Sequence, residues 1–161
     1  MARIKSGLDA VQAINTFLFY HPDLINYEID DIAQNIYFET DSDLFDIESD
    51  FEKGLPVTPI ITTFLAKSLQ KIDSNPMLSY SPKELLIFID ICVPNKDRKK
   101  SYSEGLILAE KVSILVSKDL NLALFDSFDF CKAGDIERLG SKKFNEKGFY
   151  CPQRLTVKAG I

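Results

Sequence analysis

The chain has 161 residues, 45% of them hydrophobic, with 19 basic against 24 acidic side chains and a formal net charge of −5. That length suits one domain around a single core, and the apolar fraction excludes intrinsic disorder. The acidic balance argues against a general nucleic-acid binder, which needs clustered lysine and arginine on a basic surface.

The N-terminus, MARIKSGLDAVQ, has no long apolar core behind its basic residues, so no signal peptide is expected. No run approaches the ~18 apolar residues of a membrane-spanning helix, which makes a soluble, cytosolic chain the expectation. Ser6 and Asp9 stand in approximate capping-box spacing and open the first predicted helix. Leu8, Val11, Ile14 and Leu18 supply its apolar stripe. Pro22 ends it, because the residue before a proline avoids helical geometry. His21, the chain's one histidine, has no nominated partner nearby and reads as a capping or surface residue.

A mixed segment follows, then NIYFET at 35–40, whose β-branched and aromatic residues predict a short strand. Residues 41–52, DSDLFDIESDFE, carry six carboxylates and no basic residue. Two periods fit them, a helical turn on Leu44, Ile47 and Phe51 or a half-buried strand alternating with the acids. Asp41, Asp43 and Glu52 match the first, third and twelfth positions of a calcium-loop template. That template fails, because Phe45 cannot ligate and Asp46 stands where the sharp turn requires glycine. After the connection GLPVTP, PIITTFL reads as a second strand, with Pro59 at its start where proline is tolerated. KIDSNPMLSYSPK reads as a loop.

ELLIFIDICV is the clearest strand. Leu85, Ile87, Ile89, Ile91 and Val93 form one face and Leu86, Phe88, Asp90 and Cys92 the other, which predicts a central strand covered on both sides. Asp90 within this apolar run reads as an ion-paired or strand-edge carboxylate. Pro94 ends the strand, and Lys96, Arg98, Lys99 and Lys100 form a basic loop. A helix is expected from Ser101 or Ser103, with Ser101 and Glu104 in capping-box spacing. Leu108, Ala109, Val112, Leu115 and Val116 are its core stripe, and Glu110, Lys111, Ser113, Ser117 and Lys118 largely face outward. Beyond it the reading is a strand over ALFDSFDFC at 123–131, a polar loop at 132–148 and a closing strand, FYCPQRLTVKA.

Chemistry is sparse. Cys92, Cys131 and Cys151 are scattered, form no CxxC pair and read as reduced, structural thiols. No nucleophile elbow, zinc-protease motif or phosphate loop is present, so no catalytic residue, metal site or cofactor is nominated. The remaining candidates are charged surfaces: Asp41, Asp43, Asp46, Glu48, Asp50 and Glu52 on one side, Lys96, Arg98, Lys99 and Lys100 on the other. The basic group is either a solvated loop or a surface that meets the carboxylates of 41–52 on a neighbouring copy, since opposite patches register assembly.

The elements taken together predict one α+β domain over residues 1–161, a mixed or antiparallel sheet of about four to five strands packed against two main helices. Their order resembles a known group. A proline-led strand (TPIITTFL), a long loop, an apolar strand ending in proline (LLIFIDICVP), a helix of the type YSEGLILAEKVSILVSKDL and a closing GFYCPQRLTV are similar to the tail-terminator or tail-completion proteins of tailed bacteriophages and prophages. The likeness is clearest from Pro59 to Val157 and rests on residue classes rather than catalytic letters. The acidic stretch before GLPVTP and the 132–148 loop are longer than that pattern. The resemblance implies a non-enzymatic subunit of the virion tail, assembled in the host bacterial cytoplasm. It implies self-association into a ring, commonly a hexamer, that caps the tail tube, stops its elongation and joins it to head–tail connector or neck proteins. DNA would pass through without specific binding, and no membrane is involved. The competing reading is a small acidic protein-binding module of the immunity or inhibitor type, which would use Asp41 to Glu52 as its recognition face and stay monomeric.

Overall fold

The computed structural model of the chain describes residues 3–40, 58–70, 83–120, 123, 127–144 and 148–161. The acidic candidates Asp41, Asp43, Asp46, Glu48, Asp50 and Glu52 lie outside the described residues, as do the predicted loop at 71–82 and both alternatives for 41–52.

Helix α1 (Gly7–Tyr20) starts where expected: the Ser6 hydroxyl accepts the Asp9 amide at 3.1 Å, satisfying an otherwise orphaned N–H. Ala10, Val11, Ile14 and Leu18 are buried, whereas Leu8 stands largely exposed, so Ala10 takes the inward place expected of Leu8. His21 closes α1 and caps the short helix α2 (Pro22–Ile25), with Pro22 in its first turn. The mixed segment contains a two-stranded hairpin, β1 (Glu28–Ile29) and β2 (Ile32–Ala33).

The main sheet joins β3 (Tyr37–Thr40), β4 (Ile60–Gln70), β5 (Lys83–Cys92), β6 (Phe130–Arg138) and β9 (Gln153–Gly160) in the order β3-β4-β5-β9-β6. β3 runs parallel to β4 and all other pairs are antiparallel, so the sheet is mixed and the fold is α+β. β5 is its central strand. Leu85, Ile87, Ile89 and Ile91 are fully buried and pack with residues of both main helices into one core. Burial of each such side chain stabilises the fold by about 1.5–3 kcal/mol. The strand is central as expected, and its opposite face is covered in part: Asp90 and Cys92 are buried there, whereas Leu86 and Phe88 are half-buried.

That second face is tied by Asp90. Its carboxylate, fully buried, accepts from Arg154 Nε at 2.8 Å and Nη2 at 2.9 Å across the β5–β9 pair. The guanidinium also lies 4.5 Å from the Phe88 ring centre and 5.4 Å from that of Phe64. A buried carboxylate is tolerable only with such a bidentate partner, so Asp90 is a structural ion pair.

The second main helix, α3 (Arg98–Ile114), begins ahead of both expected starts, Ser101 and Ser103. Its cap is Asp97, whose carboxylate accepts the Lys99 amide at 2.9 Å. Ser101 is inside the helix and fully buried. Its hydroxyl donates to the Val93 carbonyl at 2.7 Å and accepts the Cys151 amide at 3.2 Å. Leu108, Ala109, Val112, Leu115 and Val116 are all buried as expected, the last two in a π-helical segment, Leu115–Leu120, that continues the helix.

Two further corrections concern the last third. The predicted 123–131 strand is displaced to β6, and the predicted 132–148 loop holds most of β6, β7 (Lys142–Phe144) and the first residue of β8 (Gly148–Tyr150), whose other two residues open the predicted closing strand. A register shift between Ala133 and Ile136 explains the miss: the extra residue breaks the period of two, so Cys131, Ala133 and Ile136 look unpatterned in sequence. The closing strand is interrupted at Cys151 and Pro152, because proline cannot donate to a ladder.

Ser101→Ala leaves the Val93 carbonyl and the Cys151 amide without their buried partner. It should lower stability by about 1–3 kcal/mol. Denaturant unfolding with unchanged slope measures this, and a wild-type midpoint would show that the hydroxyl bridge contributes nothing.

Candidate functional site: a basic and aromatic patch

The sequence-nominated Lys96, Arg98, Lys99 and Lys100 sit where β5 hands over to α3. The last three occupy the first helical turn rather than a loop, and no acidic residue shares that turn. Cations there oppose the positive end of the helix dipole, an arrangement that an approaching anion relieves.

The fold brings a second basic group to the same place. Asn95 and Phe149 exchange backbone hydrogen bonds of 3.1 and 2.7 Å, pinning β8 to the residues just ahead of α3. Gly148 permits this contact. Its φ is +111°, and a Cβ would lie 2.5 Å from the Asn95 carbonyl oxygen and 3.0 Å from the Lys96 Cα. β7, paired with β8, brings Lys142 and Lys143 alongside; the Lys143 ammonium lies 5.6 Å from the Phe149 ring centre. Arg138, at the end of β6, places its guanidinium 4.3 Å from the Tyr102 ring centre, and Arg98 approaches the same ring at 5.7 Å. Tyr102 is thus the shared platform of two arginines from distant parts of the chain.

Among the described residues, none of Lys96, Arg98, Lys99, Lys100, Arg138 and Lys143 is within ion-pair distance of a carboxylate. The nearest acid in sequence, Asp97, is engaged in capping. Below the patch, burial disfavours the charged forms of Cys92 and Tyr150. Burial pushes the Cys92 thiol well above its ordinary range, and it pushes the Tyr150 hydroxyl up to about 12, with Cys92 adding to the effect. Among the described residues the cations of this corner outnumber Asp97, the carboxylate at the helix start, and such a surface suits contact with a carboxylate-rich or phosphate-rich partner.

The other nominated residues fall elsewhere. His21 Nδ1 accepts the Asp23 amide at 3.1 Å, which leaves Nε2 to donate to Asp119 Oδ2 at 2.9 Å. With both nitrogens engaged, the ring has none left to ligate or relay a proton. Cys92, Cys131 and Cys151 are free and buried, and burial pushes the Cys131 thiol up to about 12. Among the described residues, no group of three or more His, Cys, Asp or Glu side chains is placed to hold a metal ion, and no helix is long and apolar enough to cross a membrane.

Sequence reading found half of this patch. Arg138, Lys142 and Lys143 are spaced like ordinary surface residues, and only the Asn95–Phe149 pairing reveals that they join Lys96 to Lys100. The local signal available was Gly140 and Gly148 bracketing a basic pair, which marks a turn but not its neighbour.

Gly148→Ala should unfasten the hairpin, since the new methyl meets backbone that cannot yield. The expected result is faster hydrogen exchange at the Asn95 and Phe149 amides with the main sheet unaffected. Unchanged protection at both amides would show that the contact does not depend on glycine. The chain matches no protein-family model and no curated protein.

Proposed function

We propose that this chain is a structural subunit of a phage tail, forming a ring that caps the tail tube, ends its elongation and offers a joining surface to the head or neck. The carrying observation is the basic patch around Tyr102, whose cations make no ion pair among the described residues and so give each subunit a surface suited to an acidic partner. In a cyclic ring each interface joins two different surfaces of neighbouring copies, so complementary charge on a single chain is the pattern required. The order of elements supplies the family resemblance, and the α+β fold built on the LLIFIDICVP strand is compatible with it. The sequence also carries six carboxylates at 41–52, so acidic charge for such a contact is plentiful on the chain.

The role asked of the protein is contact and termination, with no bond made or broken. The acidic inhibitor reading uses the carboxylates but leaves the clustered, unpaired cations without a purpose.

Purified protein added to growing tail tubes should bind one end and stop elongation, as imaged by electron microscopy. Lys99→Glu with Lys100→Glu should sharply reduce capping. Normal capping by that variant would remove the patch from the interface. Wild-type protein that neither binds tube ends nor limits their length would overturn the reading as a whole.

A further inference from the structure

The end of α1, α2 and the β1–β2 hairpin expose more apolar surface than their own packing explains. Tyr20, Ile25 and Ile32 are 68, 59 and 65% exposed. Phe19 beside them is partly exposed and meets the rings of Tyr20 and Phe38 edge-on. Tyr20 also lines an open groove of about 600 Å³ along α1, together with Phe17 and His21. Apolar surface gathered like this on a small chain marks a place that another surface covers.

Charge says which surface. The rim of the patch carries Asp23, Glu28, Asp30 and Asp31, all exposed, and no lysine or arginine occurs between Lys5 and Lys53. Asp30 and Asp31 occupy the hairpin turn with φ of +50° and +63°, holding two adjacent carboxylates at its tip. The complementary chemistry is the patch around Tyr102, where the cations make no ion pair among the described residues and the Tyr102 and Phe149 rings, with the aliphatic stems of Arg98 and Lys143, offer apolar area.

The two surfaces lie toward opposite edges of the main sheet: α1 packs against β3 and β4, whereas the patch is built on the start of α3, β6 and β8. Tyr102 of α3 meets Arg138 of β6. Glu104, two residues on and so rotated by roughly 200°, acts on Tyr27 at the foot of the hairpin; burial and this carboxylate raise the Tyr27 hydroxyl to about 12. A single copy therefore presents the acidic–apolar surface to one side and the basic–aromatic surface to the other.

We infer that the occupant of the α1–hairpin surface is the basic patch of a second copy of this chain, with Ile25 and Ile32 seated against Tyr102 and Phe149 and the hairpin carboxylates facing Arg98, Lys99 and Lys143. The inference rests on the ring reading above and names the mating face within it. The contact is heterologous, so each copy keeps one free face after pairing and association continues beyond a dimer until it closes.

Sedimentation velocity on four samples tests this: wild type, a hairpin variant (Asp30→Asn, Asp31→Asn, Ile32→Lys), a patch variant (Arg98→Glu, Lys99→Glu) and an equimolar mixture of the two variants. Asparagine keeps the left-handed turn accessible, and Ile32→Lys alone, at an exposed position, serves as a milder version. Wild type should form species larger than a dimer, and either variant alone should need about tenfold or more higher concentration to associate. The mixture should stop at a heterodimer, because each variant retains one intact face. A hairpin variant that assembles like wild type overturns this mating face while leaving the ring intact through another acidic surface. A mixture that stays monomeric also overturns it, and a wild type that never associates overturns the ring reading along with it.

Discussion

One buried hydroxyl ties the start of α3, and with it the basic patch, to the middle of the sheet. Ser101 bridges the Val93 carbonyl, at the exit of β5, and the Cys151 amide, at the entry to β9. It therefore fixes the start of α3 on the two central strands simultaneously. A helix that begins without such a tie would pivot, carrying Arg98, Lys99, Lys100 and Tyr102 with it. The adjoining backbone pairing of Asn95 with Phe149 then fastens β8 and Lys143 to the same corner. Two buried or backbone-mediated links thus assemble a surface whose charged members do not attract one another.

That lack of mutual attraction is informative. Cations drawn together with no ion pair among the described residues raise the energy of the isolated chain, and the first turn of a helix, where only the Asp97 cap carries negative charge, is an unfavourable place for them. The fold tolerates this because the sheet beneath is strongly packed, with the Asp90–Arg154 pair and the Phe64 and Phe88 rings closing the second face. The opposite flank carries the converse arrangement, exposed apolar side chains rimmed by carboxylates. On the reading proposed above, a second copy supplies the countercharge that each surface lacks. The same division explains why a chain of net charge −5 can hold a strongly basic corner.

Much of the architecture was legible from pattern. The Ser6 cap, the end of α1 before Pro22, the alternating β5 and the core stripe of α3 follow from local chemistry with little influence from elsewhere. The misses share a cause in non-local pairing. Ser101 has the spacing of a cap, yet Asp97 takes that role because Ser101 is claimed by backbone groups eight and fifty residues away. β6 hides behind a bulge, and the β1–β2 hairpin turns on two aspartates in left-handed conformation, where glycine or asparagine is the usual signal. Of the candidate site, the Lys96–Lys100 half was visible as a charge run. Arg138, Lys143 and the aromatic platforms required the sheet order to bring them in.

The central claim is that copies of this chain associate head to tail through surfaces of opposite charge. The mass of the purified protein in solution, by light scattering across concentration and salt, tests it most directly. The account predicts a species of about six subunits that grows with concentration and dissociates as salt screens the contact. A chain that remains monomeric at every concentration, low salt included, would contradict it.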